Sequence, residues 1–359
     1  MYYFISLFIF VIILFFYIHI FHHYKTSNDL EVYTIDNPSR DKIEEICNLG
    51  QPIVFNLEHE NLNIFRLDLL SKKYGNLDIQ IRNINEKDDD EVEVYLPFDL
   101  KNAKSVLRNK ENNDFITENN TDFLKESGLL KLLNQTDGIL KPPMMSNSYY
   151  DFISGSLNTT TPLRYDINYR NYLYVTEGTV KMKLLCPSNT RFLNQIKDYE
   201  NFEFRSNANV WCQDVHNDLG DLKILDIELK KGSIIFIPAY WWCSIKFGEA
   251  SSICSYKYRT YMNNIAILPE IILHFLQRQN IKHNSMKKFK FSKTGSTVPD
   301  QSVIKPIQPY QPAIKPIIKP IQPVIKPIQT EQPVIKPIQT EQQIKPDKPS
   351  KRPDLQTLS

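Results

Sequence analysis

Over residues 161–262 the chain keeps returning to one pattern: short runs of β-branched, aromatic and aliphatic residues broken by turn residues. The runs read "NYLYVTEG", "VKMKLLCP", "KILDIELKKGSIIFIP" and "SICSYKYRTYM". Strands this short cannot bury their faces singly, so they must be stacked into a sandwich or closed into a barrel. The stretch before them, from Glu31, mixes helix and strand signals. "SRDKIEEICNLG" has a Ser39 cap, Ile43, Ile46 and Leu49 at helical spacing, and a terminating Gly50. "PIVFNL" and "LDIQIRN" read as strands, and "LDLLSKKYG" as a helix ending at Gly75. "NTDFLKESGLLKLL" reads as one helix capped by Thr121. The expected class is α+β, mainly β with helical additions, in a domain over residues 31–284.

Two segments flank that domain. Residues 2–21, "YYFISLFIFVIILFFYIHIF", carry no Asp, Glu, Lys or Arg and match the span of a bilayer core. A cleaved signal peptide is the alternative. Against it, no basic region precedes the run, the run is long, and no small-residue cleavage site follows. "HHYK" comes next, and bulky rings suit the exit from a membrane. Residues 1–24 are therefore expected to form an uncleaved, single-pass transmembrane anchor. Lys25, Arg40 and Lys42 follow the span and no basic residue precedes it, which leans the body towards the cytosol. At the other end, residues 298–359 contain the near-perfect repeat "VIKPIQTEQPVIKPIQTEQQ". Proline at that density removes amide donors and fixes φ, so a disordered, extended polyproline II tail is expected. It reads as a spacer or, because "KPIQP" holds P-x-x-P after a lysine, as a docking segment for a protein partner of the SH3 kind.

A net charge of +2 without a basic stripe argues against nucleic acid as a partner. The bias towards Asn, Ile, Lys and Tyr fits an AT-rich coding sequence and says nothing about activity. The five cysteines, Cys47, Cys186, Cys212, Cys243 and Cys254, show no C-x-x-C spacing. That excludes a zinc ribbon or thioredoxin motif and suits reduced, buried thiols better than a disulfide framework.

Several stretches carry a family likeness. "GQPIVFNL" and "FRLDLLSKKYGNLDIQIRN" look like an opening strand and an L-x-x-K-Y-G helix. "SGSLNTTTPLRYD" resembles G-S-x-x-T-P-L-H-x-D. "NYLYVTEGTVKMKLLCPS" and "ELKKGSIIFIPAYWWCSI" resemble a strand pair ending in L-x-P-P and the motif L-x-P-G-D-x-L-F-I-P-x-x-W-W-H-x-V. In this order they make the chain resemble the JmjC (Jumonji C) cupin-like family, most closely its small hydroxylase-type members, over residues 33–262. The resemblance implies a double-stranded β-helix. It also implies Fe(II) held by His-x-Asp and a distant His, with open positions for oxygen and 2-oxoglutarate. Residues two apart on a strand share a face, so both first ligands enter the barrel.

Carried onto this chain, the three metal positions are Arg164, Asp166 and Cys243. A guanidinium stays protonated and has no lone pair to give a metal. Asp166 with Cys243 alone makes a poor site. Arg164 is expected instead to fill the vacated position and pair bidentately with Asp166. The lysine that anchors the co-substrate in the family falls on Val180, and Lys181, one residue on, should point out of the barrel. Thr161 and Asn171 match positions that often touch the co-substrate, and read equally as ordinary turn and strand residues. His216 and Asp218 form an H-x-D string in a loop, and His59 and His274 have no partner spacing. No catalytic residue and no metal ligand is assigned.

Three functions remain open. The chain is a membrane-anchored, non-catalytic scaffold or binding module without a cofactor. Or it is an Fe(II)/2-oxoglutarate-dependent oxygenase, of protein hydroxylase or demethylase type, with atypical ligation. Or its cavity binds a small anion or peptide through Arg164.

Overall fold

The computed structural model describes residues 2–57, 60–85, 95–109, 114–199, 202–212 and 222–283. The Pro-rich segment 298–359 lies outside them, as do His59, His216 and Asp218. In chain order the elements are α1 (Tyr2–Tyr24), β1 (Tyr33–Asp36), α2 (Arg40–Cys47), β2 (Ile53–Asn56), α3 (Leu67–Tyr74), β3 (Asp78–Asn83), β4 (Leu96–Asp99) and α4 (Leu100–Leu107). There follow β5 (Phe115–Thr117), α5 (Thr121–Glu126), α6 (Leu129–Thr136), β6 (Met145–Gly155), β7 (Leu163–Tyr165), β8 (Arg170–Glu177), β9 (Thr179–Leu185), β10 (Gln195–Asp198) and β11 (Glu203–Ser206). The chain continues with β12 (Leu225–Lys230), β13 (Ser233–Pro238), β14 (Trp242–Phe247), β15 (Ser252–Thr260), α7 (Tyr261–Ala266) and α8 (Leu268–His283).

The strands build a nine-stranded sheet, β1-β2-β13-β8-β15-β6-β5-β3-β4, and a six-stranded sheet, β10-β11-β7-β14-β9-β12. Side chains alternate across each strand, and both faces of the large sheet are covered. In β8, Leu173 and Val175 join Ile235 of β13 and Ile253 of β15 against Val180, Met182 and Leu184 of β9 in the smaller sheet. Their neighbours Tyr172, Tyr174, Phe236, Tyr256 and Tyr258 face the other way, onto α2–α6. This two-sided burial makes β8 buried at every position. A third cluster, with Tyr165, Phe204 and Trp242, covers the outer face of the smaller sheet around β7, β11 and the start of β14 and reaches Ile267 and Ile271. The result is the mainly β, α+β architecture expected from the strand pattern.

Local signals hold in α2, where the Ser39 hydroxyl accepts from the Lys42 amide. They fail in two places. Helix α2 stops at Cys47, which leaves Leu49 more than half exposed, so it is not part of the apolar face. The "NTDFLKESGLLKLL" stretch is two helices, because Gly128 takes φ +73° between α5 and α6. Its cap position is Asn120, not Thr121, and no side-chain cap bond forms there. The Asn120 side chain is committed elsewhere: its amide donates to Thr117 Oγ1 and the Phe152 carbonyl, and its Oδ1 accepts from the Gln80 amide.

Among the described residues, α1 is the one helix long and apolar enough to cross a membrane. Its final turn is joined to the domain. The Tyr24 hydroxyl donates to the Ala266 carbonyl at 2.7 Å, and the His23 ring lies 3.1 Å from Asn263 Nδ2 and 3.3 Å from the Tyr240 hydroxyl.

The hairpin between β8 and β9 turns on Gly178, at φ +71°. A Cβ there would sit 2.7 Å from the Glu249 carbonyl oxygen, whereas one at Gly128 or Gly138 would meet nothing within 4 Å. Gly128→Ala should therefore cost only the left-handed strain, about 1–2 kcal/mol. Gly178→Ala should cost distinctly more, and Gly138→Ala little. Urea midpoints of the three variants check this order.

Candidate functional site

Three strands of the smaller sheet place the site. Register puts Arg205 of β11, Arg164 of β7 and Cys243 of β14 directly opposite one another in a row. Leu163 and Tyr165 pack on the outer face of the sheet, so alternation sends Arg164 inward. Asp166 follows just past the end of β7. Register thus sets Arg164 beside Cys243, with Asp166 two residues further along the chain. Arg164 and Asp166 border a cavity of about 460 Å³, whose far side is built by Asp151 of β6, Lys257 of β15, and Ile271 and His274 of α8, whereas Cys243 packs against the apolar cluster beside it.

The expected Arg164–Asp166 pair does not form. Arg164 Nη2 donates to Glu118 Oε2 at 2.5 Å, and Nη1 to Glu203 Oε1 at 3.3 Å. Glu118 is 2% exposed and also holds Arg82 Nε at 2.9 Å and the Tyr95 hydroxyl at 3.0 Å. Burial would raise the Glu118 carboxyl, but Arg164 and Arg82 outweigh it and hold it down at about 2. Burial likewise opposes charge on Arg164, and Glu118 with Glu203 reverses that, raising its pKa well above the ordinary value. The physical reason for the change of partner is burial. Glu118 has almost no water to stabilise its charge, whereas Asp166 is 37% exposed and has its own cation, Lys257 Nζ at 2.9 Å.

These residues do not fit a bound dication. Arg164 offers no lone pair and adds a positive charge. Burial pushes the Cys243 thiol up to about 12, despite nearby Arg164, so the sulfur is protonated rather than a thiolate ligand. Asp166 is engaged with Lys257. Among the described residues no group of three or more His, Cys, Asp and Glu side chains is placed to hold a metal ion.

The other expected positions tie the sheets together. The Thr161 hydroxyl accepts from the Ile245 amide at 2.9 Å and its backbone pairs with the same residue, tying the loop before β7 to β14. The Asn171 amide donates to the Ile237 carbonyl at 3.2 Å, and neither residue lines the cavity. Val180 is buried and Lys181 exposed, so the lysine points away from the interior. His274 meets the Tyr199 carbonyl and the Phe202 ring. The cysteines are free thiols, with Cys47, Cys186 and Cys254 buried but Cys212 exposed.

Sequence reasoning missed Glu118, Asp151, Arg205 and Lys257. For Lys257 a signal existed: in "SICSYKYRTYM" the alternation that buries Tyr256 and Tyr258 on one face sends Ser255, Lys257 and Arg259 to the other, into the cavity. Asp151 accepts from the amides of Asn119 and Asn120 at 2.8 and 2.7 Å. Burial nevertheless dominates and raises its carboxyl to about 6.

Removing one partner of a buried ion pair leaves the other charge uncompensated, so Glu118→Gln should destabilise the fold by about 3–5 kcal/mol. Because the folded pKa of Glu118 is depressed, its contribution is present above the ordinary value of 4.5 and is lost as pH falls towards about 2. Unfolding free energies of the parent and Glu118→Gln should therefore converge as the medium is acidified through that window.

Comparison with curated proteins finds no match. The profile of a family described as "Cupin-like domain" matches residues 65–263, more than half of the chain. That stretch runs from the turn before α3 to the middle of α7 and includes the whole strand row that carries Arg164 and Cys243. Fold and profile agree, and this chain belongs to the cupin-like domain family.

Proposed function

We propose that this is a membrane-anchored, non-catalytic cupin-like protein whose barrel works as a binding module. One observation carries the reading: a guanidinium tied to Glu118 and Glu203 stands where the JmjC resemblance puts a histidine, opposite a protonated thiol. An ion-pair network thereby supplies the positive charge that a metal would otherwise supply to the neighbouring carboxylates. The anchor reading has its own support. His23 of α1 is 8% exposed and contacts Asn263 and Tyr240, contacts that cleavage of the segment as a signal peptide would remove. The basic residues after the span favour a cytosolic body, with the Pro-rich tail as a spacer or docking segment.

A second reading concerns the ligand. The two carboxylates on Arg164 make it a poor anion anchor, whereas Lys257 is 35% exposed and lines the cavity with Arg259. A small carboxylate would compete with Asp166 for Lys257, so that pair, rather than Arg164, is the natural anchor for an anion or a peptide end.

Anaerobic loading of the purified chain with Fe(II) should leave well under one iron per chain and no 2-oxoglutarate turnover. Arg164→His with Cys243→His should raise iron retention once Glu118→Gln is added, since Glu118 would otherwise lose a cation that it needs. Stoichiometric iron with turnover in the unaltered chain would sink the non-catalytic reading. Separately, Lys257→Met should weaken any dicarboxylate binding seen by calorimetry by tenfold or more, and Arg164→Met should do so only through lost stability.

A further inference from the structure

The cavity walled by β6, β15 and α8 holds two charged side chains that the ion pairs described above leave out. Arg164 has Glu118 and Glu203, and Lys257 has Asp166. Arg259 lines the same space and has no carboxylate partner among the described residues. Its guanidinium lies over the rings of Tyr149 and Phe202, 5.1 and 4.9 Å from their centroids, and its Nε donates to Asn168 Oδ1 at 2.6 Å. Those contacts hold the guanidinium in place and leave its two terminal nitrogens without a hydrogen-bond partner among the described residues. That edge is the one that takes a carboxylate as a fork. Burial is the largest influence on the Arg259 pKa and lowers it, the mark of a cation short of counter-charge. Asp151 is its converse. It accepts from the amides of Asn119, Asn120 and Phe152, and no basic side chain pairs with it among the described residues. Register sets Asp151 opposite Ser255 of β15, and Ser255, Lys257 and Arg259 share the face that borders the cavity. Arg259 thus stands four residues beyond the partner of Asp151, about 13 Å along an extended strand. The Ser255 hydroxyl, on a residue only 1% exposed, also lacks a hydrogen-bond partner and borders the space between them.

We propose that the cavity binds a small zwitterion whose carboxylate and ammonium lie several bonds apart, with the carboxylate on the free edge of Arg259 beside Lys257 and the ammonium at Asp151. This rests on the anion-binding reading of the cavity given above and names the ligand class for it. A plain carboxylate satisfies Arg259 but adds a second negative charge near Asp151, and a plain amine does the reverse. A zwitterion answers both groups and brings no net charge into a space where an unpaired charge is costly. An α-amino acid is too short for this, because one carbon carries both its charged groups. The volume of about 460 Å³ falls in the range of small-molecule sites, ~300–1,000 Å³.

The test is calorimetry on the full chain in detergent micelles, with ε-aminocaproate as the probe. It should bind at least tenfold more tightly than hexanoate or hexylamine, each of which lacks one charge, and than glycine, which carries both on one carbon. Dialanine binding tenfold ahead of glycine would also support the inference and make short peptides the source of the zwitterion. Asp151→Asn should remove the advantage of ε-aminocaproate over hexanoate while leaving hexanoate binding as it was, and Arg259→Met should weaken both by tenfold or more. Asp151 also holds the amides of Asn119 and Asn120, so the comparison of probes on the unaltered chain decides the matter if that variant fails to fold. Hexanoate or succinate binding as tightly as ε-aminocaproate would overturn the inference and leave the anion reading standing. Hexylamine or glycine binding as tightly would overturn it as well. Absence of binding by every probe, succinate included, would remove the anion reading, and this inference with it.

Discussion

Glu118 carries a negative charge into a place with almost no water, and the space between the two sheets is arranged to answer it. Arg82 and Tyr95 bind one carboxylate oxygen and Arg164 the other. An isolated carboxylate at that depth would cost several kcal/mol, so the guanidinium is a structural requirement as much as a substitution. The consequences spread along the strands. With Arg164 committed to Glu118 and Glu203, Asp166 turns to Lys257. With two guanidinium groups opposite one another at Arg164 and Arg205, the cavity wall needs Glu118 and Glu203 to keep like charges from destabilising the β7–β11 pair. Cys243 completes the row as a neutral thiol.

The same arrangement explains which parts of the molecule were legible in its sequence. The strands were, because two-sided burial writes an alternation that survives without knowledge of neighbours: Tyr172, Tyr174, Tyr256 and Tyr258 on one face, Leu173, Val175 and Ile253 on the other. The Ser39 cap was, because its partner is three residues away. Arg164, Asp166 and Cys243 were named together through the family resemblance, and the register of β7 with β14 sets Arg164 opposite Cys243. Their pairing was not legible. Glu118 lies 46 residues from Arg164 at the end of a three-residue strand, and nothing local marks it as buried. The split between α5 and α6 was missed for a related reason. Gly128 lies inside the apolar pattern that reads as one helix, and the cap position falls on Asn120 rather than Thr121, with the Asn120 side chain held by Thr117, Phe152 and Gln80 instead of by its own helix.

Charge pairing also separates two kinds of surface. The cavity carries both signs of charge, with Glu118, Asp151, Asp166, Asp198 and Glu203 set against Arg164, Arg205, Lys257 and Arg259. The outer face of α8, a few ångströms of helix away, is apolar and unbalanced by anything else in the described residues. A single element thus divides a site built for polar contact from a face built for apolar contact. This division, rather than any single residue, distinguishes the end of the domain where α7 and α8 lie.

The joint between α1 and the domain has a mechanical meaning. His23 and Tyr24 bond directly to Asn263, Tyr240 and Ala266, with no slack between the apolar helix and the folded body. In a bilayer, a hydrophobic helix answers a change of membrane thickness by tilting. Were α1 to span a bilayer as proposed, a body joined to it through a flexible linker would ignore that tilt, whereas this one would swing with it as a lever, so that lipid thickness would set the orientation of the domain.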